Sequence, residues 1–186
     1  MGDNVVLVGF MGAGKSSVGR LLARRMGRCF VETDDMITAR AGRSIPEIFA
    51  ERGEAHFRAL EEETVRLLAL KSGNVIATGG GLFCREGRPE ALKALGTVVW
   101  LHGDFDALYE RARRAGERPM LAGRGREEVL ALYRAREPYY RQADLTVDTT
   151  RINPDQVATR VLLALREKPS RVPLSPLGRG QGEGAR

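Results

Sequence analysis

Residues 9–16 read Gly-Phe-Met-Gly-Ala-Gly-Lys-Ser, and no other stretch of the 186-residue chain restricts its fold as much. The spacing fits G-x-x-x-x-G-K-[ST], a loop that wraps phosphate between a strand and a helix. Both flanks are present. Val5-Val6-Leu7-Val8 reads as a short buried strand, and residues 15–26 read as a helix. Glycines at 9, 12 and 14 let the backbone approach a phosphate with no side chain in the way. The amides of Gly12, Ala13, Gly14, Lys15, Ser16 and Ser17 then face the anion, backed by the positive end of the helix. Lys15 is expected to bridge the terminal phosphates of ATP, and the Ser16 hydroxyl to hold Mg²⁺.

The rest of the chain repeats the strand-then-helix pattern. Apolar, β-rich runs recur at Val5–Val8, Cys29–Val31, Val75–Ala77, Val98–Leu101 and Leu145–Val147. Helical patterns fall at residues 15–26, 44–52, 54–70, 89–95, 105–114, 127–141 and 154–167. Such alternation predicts an α/β fold of three layers, a parallel sheet with helices on both faces. Ser44-Ile45-Pro46-Glu47 has capping-box spacing, with proline where its missing N–H costs little. The Gly- and Arg-rich stretch 114–126 reads as a mobile lid between two helices. Residues 1–167 read as one domain. Residues 168–186, rich in Pro, Gly, Ser and Arg, are expected to be a disordered tail.

Composition removes several classes. No apolar run is long enough for a membrane span, and a strand begins almost at once, so no signal peptide is expected and a cytoplasmic location follows as the default. Cys29 and Cys84 form no C-x-x-C pair and read as reduced thiols, and His56 and His102 are too few and scattered for a metal cluster. The net charge of +6 suits nucleic acid or small anions alike. The arginines, however, are interleaved with acids and lack the aromatic platform that single-stranded nucleic acid needs. An anionic nucleotide with an anionic substrate explains the charge more simply. Neither nucleic acid nor membrane is an expected partner, and a monomer is the expected state.

Further candidates sit where the predicted strands end, which is where ligands gather in such sheets. Glu32-Thr33-Asp34-Asp35 closes the second strand. Its carboxylates are placed to hold Mg²⁺ through water or to accept a proton from a hydroxyl; the competing role is a helix start capped by Thr33 or Asp34. Gly79-Gly80-Gly81 follows the third strand and invites close approach of a ligand to the backbone. No apolar run ends in the usual metal-bound aspartate, so Glu32 and Asp34 are the nearest substitutes. Arg58 and Glu61 share a helix face, where Glu61 would orient the guanidinium toward a carboxylate; a surface ion pair is the competing role. Arg118, in the lid, is placed to close over a transferring phosphate. Arg136 lies near a helix end.

Together these segments resemble the shikimate kinases, from Val5 to about Leu165. The resemblance rests on the phosphate loop, Glu32-Thr33-Asp34, Ser44 through Phe49, Gly53-Glu54 through Phe57-Arg58 to Glu61, the three glycines, Arg118-Pro119-Met120-Leu121, and Arg136 through Tyr140. It implies a five-stranded parallel sheet of the nucleoside monophosphate kinase type. The implied reaction moves the ATP γ-phosphate to the 3-hydroxyl of shikimate. In such a chain Asp34 would bind the substrate hydroxyls and be the candidate base. Arg58 and Arg136 would hold the carboxylate, and Gly80 would touch the ring through its backbone. Phe49 and Phe57 would line the pocket, Arg118 would reach the phosphate, and Arg111 with Pro154 would sandwich adenine. Two positions depart from the family pattern. Glu32 stands where an aspartate is usual, one methylene longer, and Ser17 where threonine is common. A different small-molecule kinase, such as one for gluconate, would keep the phosphate loop without needing both Arg58 and the three glycines. A nucleotide-binding module without catalysis would need none of Asp34, Arg58 and Arg136.

Overall fold

The computed structural model describes residues 4–114 and 123–168. Five strands form one all-parallel sheet: β1 (Asn4–Val8), β2 (Cys29–Glu32), β3 (Asn74–Ala77), β4 (Gly96–His102) and β5 (Leu145–Asp148), in the order β2-β3-β1-β4-β5. The centre goes to β1, paired with β3 through Leu7↔Ala77 and with β4 through Val8↔Trp100. All five of its residues are buried. That explains an unbroken apolar run rather than an alternating one, since a parallel sheet is covered on both faces. The exception, Asn4, is fully used. Its amide donates to the carbonyls of Lys71 and Leu95 and accepts from the backbone and side chain of Asn74.

The helices are α1 (Lys15–Met26), α2 (Thr33–Ala41), α3 (Ile45–Ala69), α4 (Arg88–Leu95), α5 (Phe105–Arg114), α6 (Arg126–Tyr140) and α7 (Pro154–Glu167). Right-handed crossovers send α1 to one face, where it packs on α7, and the helices of the rightward connections to the other. All five strands therefore end at the same edge. The main core spans both faces of the sheet. A smaller core of Ile37, Ile48 and Phe57, with Ala41, Ile45 and Leu60 around it, joins α2 to α3.

Two local features differ from the sequence expectation. Helix α2 is present where only a possible helix start was read, and neither Thr33 nor Asp34 caps it. The helix begins at Thr33, and the N-cap position belongs to Glu32. Thr33 and Ile37, four residues apart, are its buried contacts. The helices expected at 44–52 and 54–70 form one span broken at Gly53, which has φ 75° and ψ 176°, a conformation open in practice to glycine alone. The break has a measurable effect. Phe49 and Phe57 are eight residues apart, about 12 Å of rise in a straight helix. Their ring centroids instead lie 4.7 Å apart.

The expected capping box is present: the Glu47 carboxylate accepts from both the backbone N–H and the hydroxyl of Ser44. Cys29 and Cys84 are free thiols. Among the described residues no helix is long and apolar enough to cross a membrane. Arg118, most of the expected lid and the tail from 169 onward lie outside the described residues.

Candidate active site

The phosphate loop leaves β1 at Gly9 and enters α1 at Lys15. Gly12 and Gly14 have φ of 77° and 83°, so the chain turns there in a way that side-chain-bearing residues resist. Space demands glycine as well: a Cβ on Gly9 would sit 2.7 Å from the Leu101 carbonyl oxygen, and one on Gly12 2.1 Å from that of Leu108. The loop is thus wedged between β4 and α5. Phe10, fully buried, anchors it from below against the Tyr133 ring, 5.3 Å away edge to face. Lys15 Nζ donates to the carbonyls of Gly9 and Phe10 at 2.8 and 3.1 Å, arching back over the cradle. Ala13 is buried, and Ser17 is exposed at the start of α1.

Beside the loop, Ser16 Oγ donates to Glu32 Oε1 at 2.5 Å, and Arg20 Nη2 lies 3.4 Å from Glu32 Oε2. The longer glutamate therefore reaches the serine that an aspartate would be expected to serve. A hydroxyl and a carboxylate are the hard oxygen donors that Mg²⁺ prefers, so the pair fits that ion. Among the described residues no group of three or more His, Cys, Asp or Glu side chains is gathered to hold a metal. The remaining ligands of a bound ion would be phosphate oxygens and water.

The acceptor side is organised around the three glycines after β3. Gly79 N–H donates to Thr33 Oγ1 at 2.9 Å, which fastens this loop to the start of α2. A Cβ on Gly79 would lie 2.5 Å from Asp34 Oδ1, so the absence of a side chain at 79 is what lets the carboxylate stand there. Burial raises the pKa of Asp34 above the ordinary 3.8; Lys15 opposes that shift, and Glu32, Glu61 and Asp35 add to it. At the far end of the glycines two guanidiniums converge. A Cβ on Gly81 would be 3.2 Å from Arg136 Nη2 and 4.0 Å from Arg58 Nη1. Arg136 Nη1 and the Tyr140 hydroxyl both donate to the Gly80 carbonyl, at 3.2 and 2.6 Å. The Gly80 carbonyl is thereby occupied from the α6 side. The Arg136 guanidinium also lies 5.9 Å from the centre of the Phe10 ring, so the two halves of the site share a contact.

Arg58 donates through Nη1 to Glu61 at 2.9 Å, and through Nε and Nη2 to Glu54 at 3.0 and 2.8 Å. Glu61 is buried, not on the surface, which decides against the surface-pair reading. Phe57 is buried and Phe49 is 39% exposed, together forming an aromatic wall. On the nucleotide side, Arg111 donates to the carbonyl of Ala107 and to the carbonyl and hydroxyl of Thr149, just past β5. Pro154 is exposed at the first turn of α7, five residues beyond Thr149.

The structure thus brings the sequence candidates 12–17, Glu32, Asp34, Phe49, Phe57, Arg58, Glu61, the three glycines, Arg111, Arg136 and Pro154 to one edge of the sheet. Sequence reasoning missed Thr33 as a tether, Tyr140 and Arg85. Tyr140 lies four residues after Arg136, so helical spacing offered a signal. Arg85, in a loop, offered none.

A backbone cradle for phosphate, set beside a carboxylate and two guanidiniums suited to a small anion, is the construction of a P-loop kinase for small molecules. The chain is of that class, an ATP-dependent kinase. It belongs to the shikimate kinase family, whose model matches residues 11–166. It is 45% identical over 174 residues to the shikimate kinase of Symbiobacterium thermophilum, covering 90% of this chain and 99% of that one. It is 45% identical over 167 residues to the shikimate kinase of Geobacter sulfurreducens, covering 89% and 92%. Among solved structures, shikimate kinase from Acinetobacter baumannii in complex with shikimate superposes with TM-score 0.83 at 37% identity, over 90% of this chain and 96% of that one. Shikimate kinase from Aquifex aeolicus gives 0.79 at 39% identity, over 88% and 96%.

Proposed function

We propose a division of labour by which this chain transfers the γ-phosphate of ATP to the 3-hydroxyl of shikimate, giving shikimate 3-phosphate and ADP. The carrying observation is the line of Gly79, Gly80 and Gly81, with Asp34 against one end and Arg58 and Arg136 converging on the other. A carboxylate for hydroxyls and a pair of guanidiniums for a carboxylate match the two ends of a polyhydroxylated acid.

The loop amides hold the phosphates, and Lys15 exchanges its loop carbonyls for the β- and γ-phosphate oxygens. Ser16 and Glu32 would hold Mg²⁺, which would supply neutralisation of charge on the phosphates. Asp34, its basicity increased by burial, orients the 3-hydroxyl and accepts its proton. Arg58 has five N–H donors, three of them engaged with Glu61 and Glu54. One N–H is left on each terminal nitrogen, the number a two-point bond to a carboxylate requires. Arg136, Glu61, Phe49 and Phe57 complete the wall. A role for Arg118 at the transferring phosphate follows from the resemblance alone, and Arg111 with Pro154 flanks adenine. In this reading the chain works as a monomer.

The test is ADP release by the purified protein with ATP and Mg²⁺, with shikimate, with gluconate, and with neither. Strong stimulation by shikimate alone is expected. ATP binding without stimulation by shikimate would keep the phosphate loop and overturn the acceptor.

A further inference from the structure

Glu61 is a buried carboxylate, its side chain 4% exposed, and it has two cations rather than one. Arg58 Nη1 donates to its Oε2 at 2.9 Å, and Arg85 Nη2 donates to the same oxygen at 2.7 Å. Arg85 lies in the segment between β3 and α4, four residues after Gly81. Glu61 therefore links the helix that carries Arg58 to the loop that carries the three glycines.

Holding Arg85 there works against local stability. Its Nε is buried and meets no hydrogen-bond partner among the described residues. Burial disfavours its charged form first, and Glu61 opposes that while Arg58 and Arg88 add to it. A buried donor without an acceptor calls for an explanation other than stability.

We propose that Arg85 is a positioning residue for acceptor binding: by sharing Glu61 Oε2 it keeps Glu61 from drawing the Arg58 guanidinium away from the acceptor carboxylate. The reasoning is a competition for donors. Glu61 carries one negative charge, and two guanidiniums divide it. Without Arg85, the whole carboxylate turns to Arg58, taking a second N–H from the terminal nitrogens. Arg58 then keeps fewer donors for the acceptor and a smaller net positive charge. At the same time the glycine loop loses its tie to α3. Arg85 touches neither ATP nor the reacting hydroxyl in this scheme, so the effect falls on acceptor binding rather than on phosphoryl transfer.

The proposal rests on shikimate being the acceptor, and wild-type turnover tests that separately. Steady-state kinetics of R85A, R85K and E61Q/R85A are compared with wild type and E61Q. R85A is expected to raise the KM for shikimate roughly tenfold, the scale of one weakened charge-assisted hydrogen bond. It should lower kcat much less and leave the KM for ATP near wild type. R85K, which keeps the charge, should recover most of the shikimate KM, and R85A should add little in the E61Q background. If wild type turns over shikimate and R85A leaves its KM unchanged, the proposal is overturned. It is equally overturned if R85A degrades kcat and both KM values together, as a general loss of structure would. Wild type without shikimate turnover would overturn the acceptor assignment instead.

Discussion

Phe10 and Phe49 mark two ways of building a binding surface. Phe10, under the phosphate loop, is wholly buried between the sheet and Tyr133; Phe49, on the acceptor wall, is 39% exposed. The loop rests on β1, at the centre of the main core, and is locked by backbone contacts with Leu101 and Leu108. The acceptor wall rests on the satellite core of Ile37, Ile48 and Phe57 and is held by charges that face one another. One surface is made of main chain, the same for any sequence that folds this way. The other is made of side chains, each replaceable. On the proposed function, phosphate recognition is the more rigid and generic, and acceptor recognition the more local, electrostatic and easier to retune.

The strongest way to break this comparison is K15A. On the proposed function Lys15 reaches the phosphates through its side-chain ammonium, and its loss should lower kcat by roughly 10³-fold, as for other lost transition-state donors. The thermal midpoint should hardly move. Near-normal turnover would remove the loop from the chemistry.

D34N comes next, with a fall in kcat on the order of 10²-fold from the lost proton acceptor. Stability should move the other way. Because burial raises the folded-state pKa above 3.8, the folded state binds the proton more tightly than the unfolded chain. The contribution of Asp34 to stability is greatest below 3.8 and is lost as pH rises through the raised value. Above that window the ionised carboxylate is a burden, so D34N should melt at or above the wild-type temperature at pH 7. In wild type, kcat/KM should fall on the acid side at a pH above the ordinary aspartate range. A D34N protein that melts well below wild type at pH 7 would contradict the burial argument.

R58K should raise the KM for shikimate roughly tenfold, since a point charge lacks the paired N–H groups. An unchanged value would take Arg58 out of acceptor binding. The smallest catalytic effect sharpens the comparison most. I48A empties part of the satellite core, at a cost of about 2–5 kcal/mol for a buried isoleucine. It should weaken shikimate binding a few-fold while leaving ATP affinity intact, as read by calorimetric titration with each ligand. Equal damage to both would mean that the two regions share one cooperative unit.

The phosphate loop was legible in the sequence because its geometry is encoded within eight consecutive residues. Strands β1, β3 and β4 were legible because burial on both faces fills them almost entirely with apolar residues, and the edge strands β2 and β5 kept short β-rich runs although they are less buried. Helix α2 was not, because Thr33-Asp34-Asp35 is the composition of a cap and only Thr33 and Ile37 are buried along it. Arg85 and the hydroxyl of Tyr140 act across separations of 24 and 60 residues, on Glu61 and Gly80. No local pattern carries such a pairing; it exists only once the sheet order has brought the segments together.

Gly53 turns a question of chemistry into one of length. With an unbroken α3, Phe49 would be carried past Phe57 along a rod, and the acceptor wall would have a gap where it now has two rings in contact. Alanine there would favour the helix by about 1 kcal/mol in isolation, yet it cannot adopt the conformation found. The residue without a side chain thus sets the spacing of the two bulkiest side chains on that wall. A search for selectivity determinants confined to groups that touch the acceptor would pass over the position that brings these two rings together.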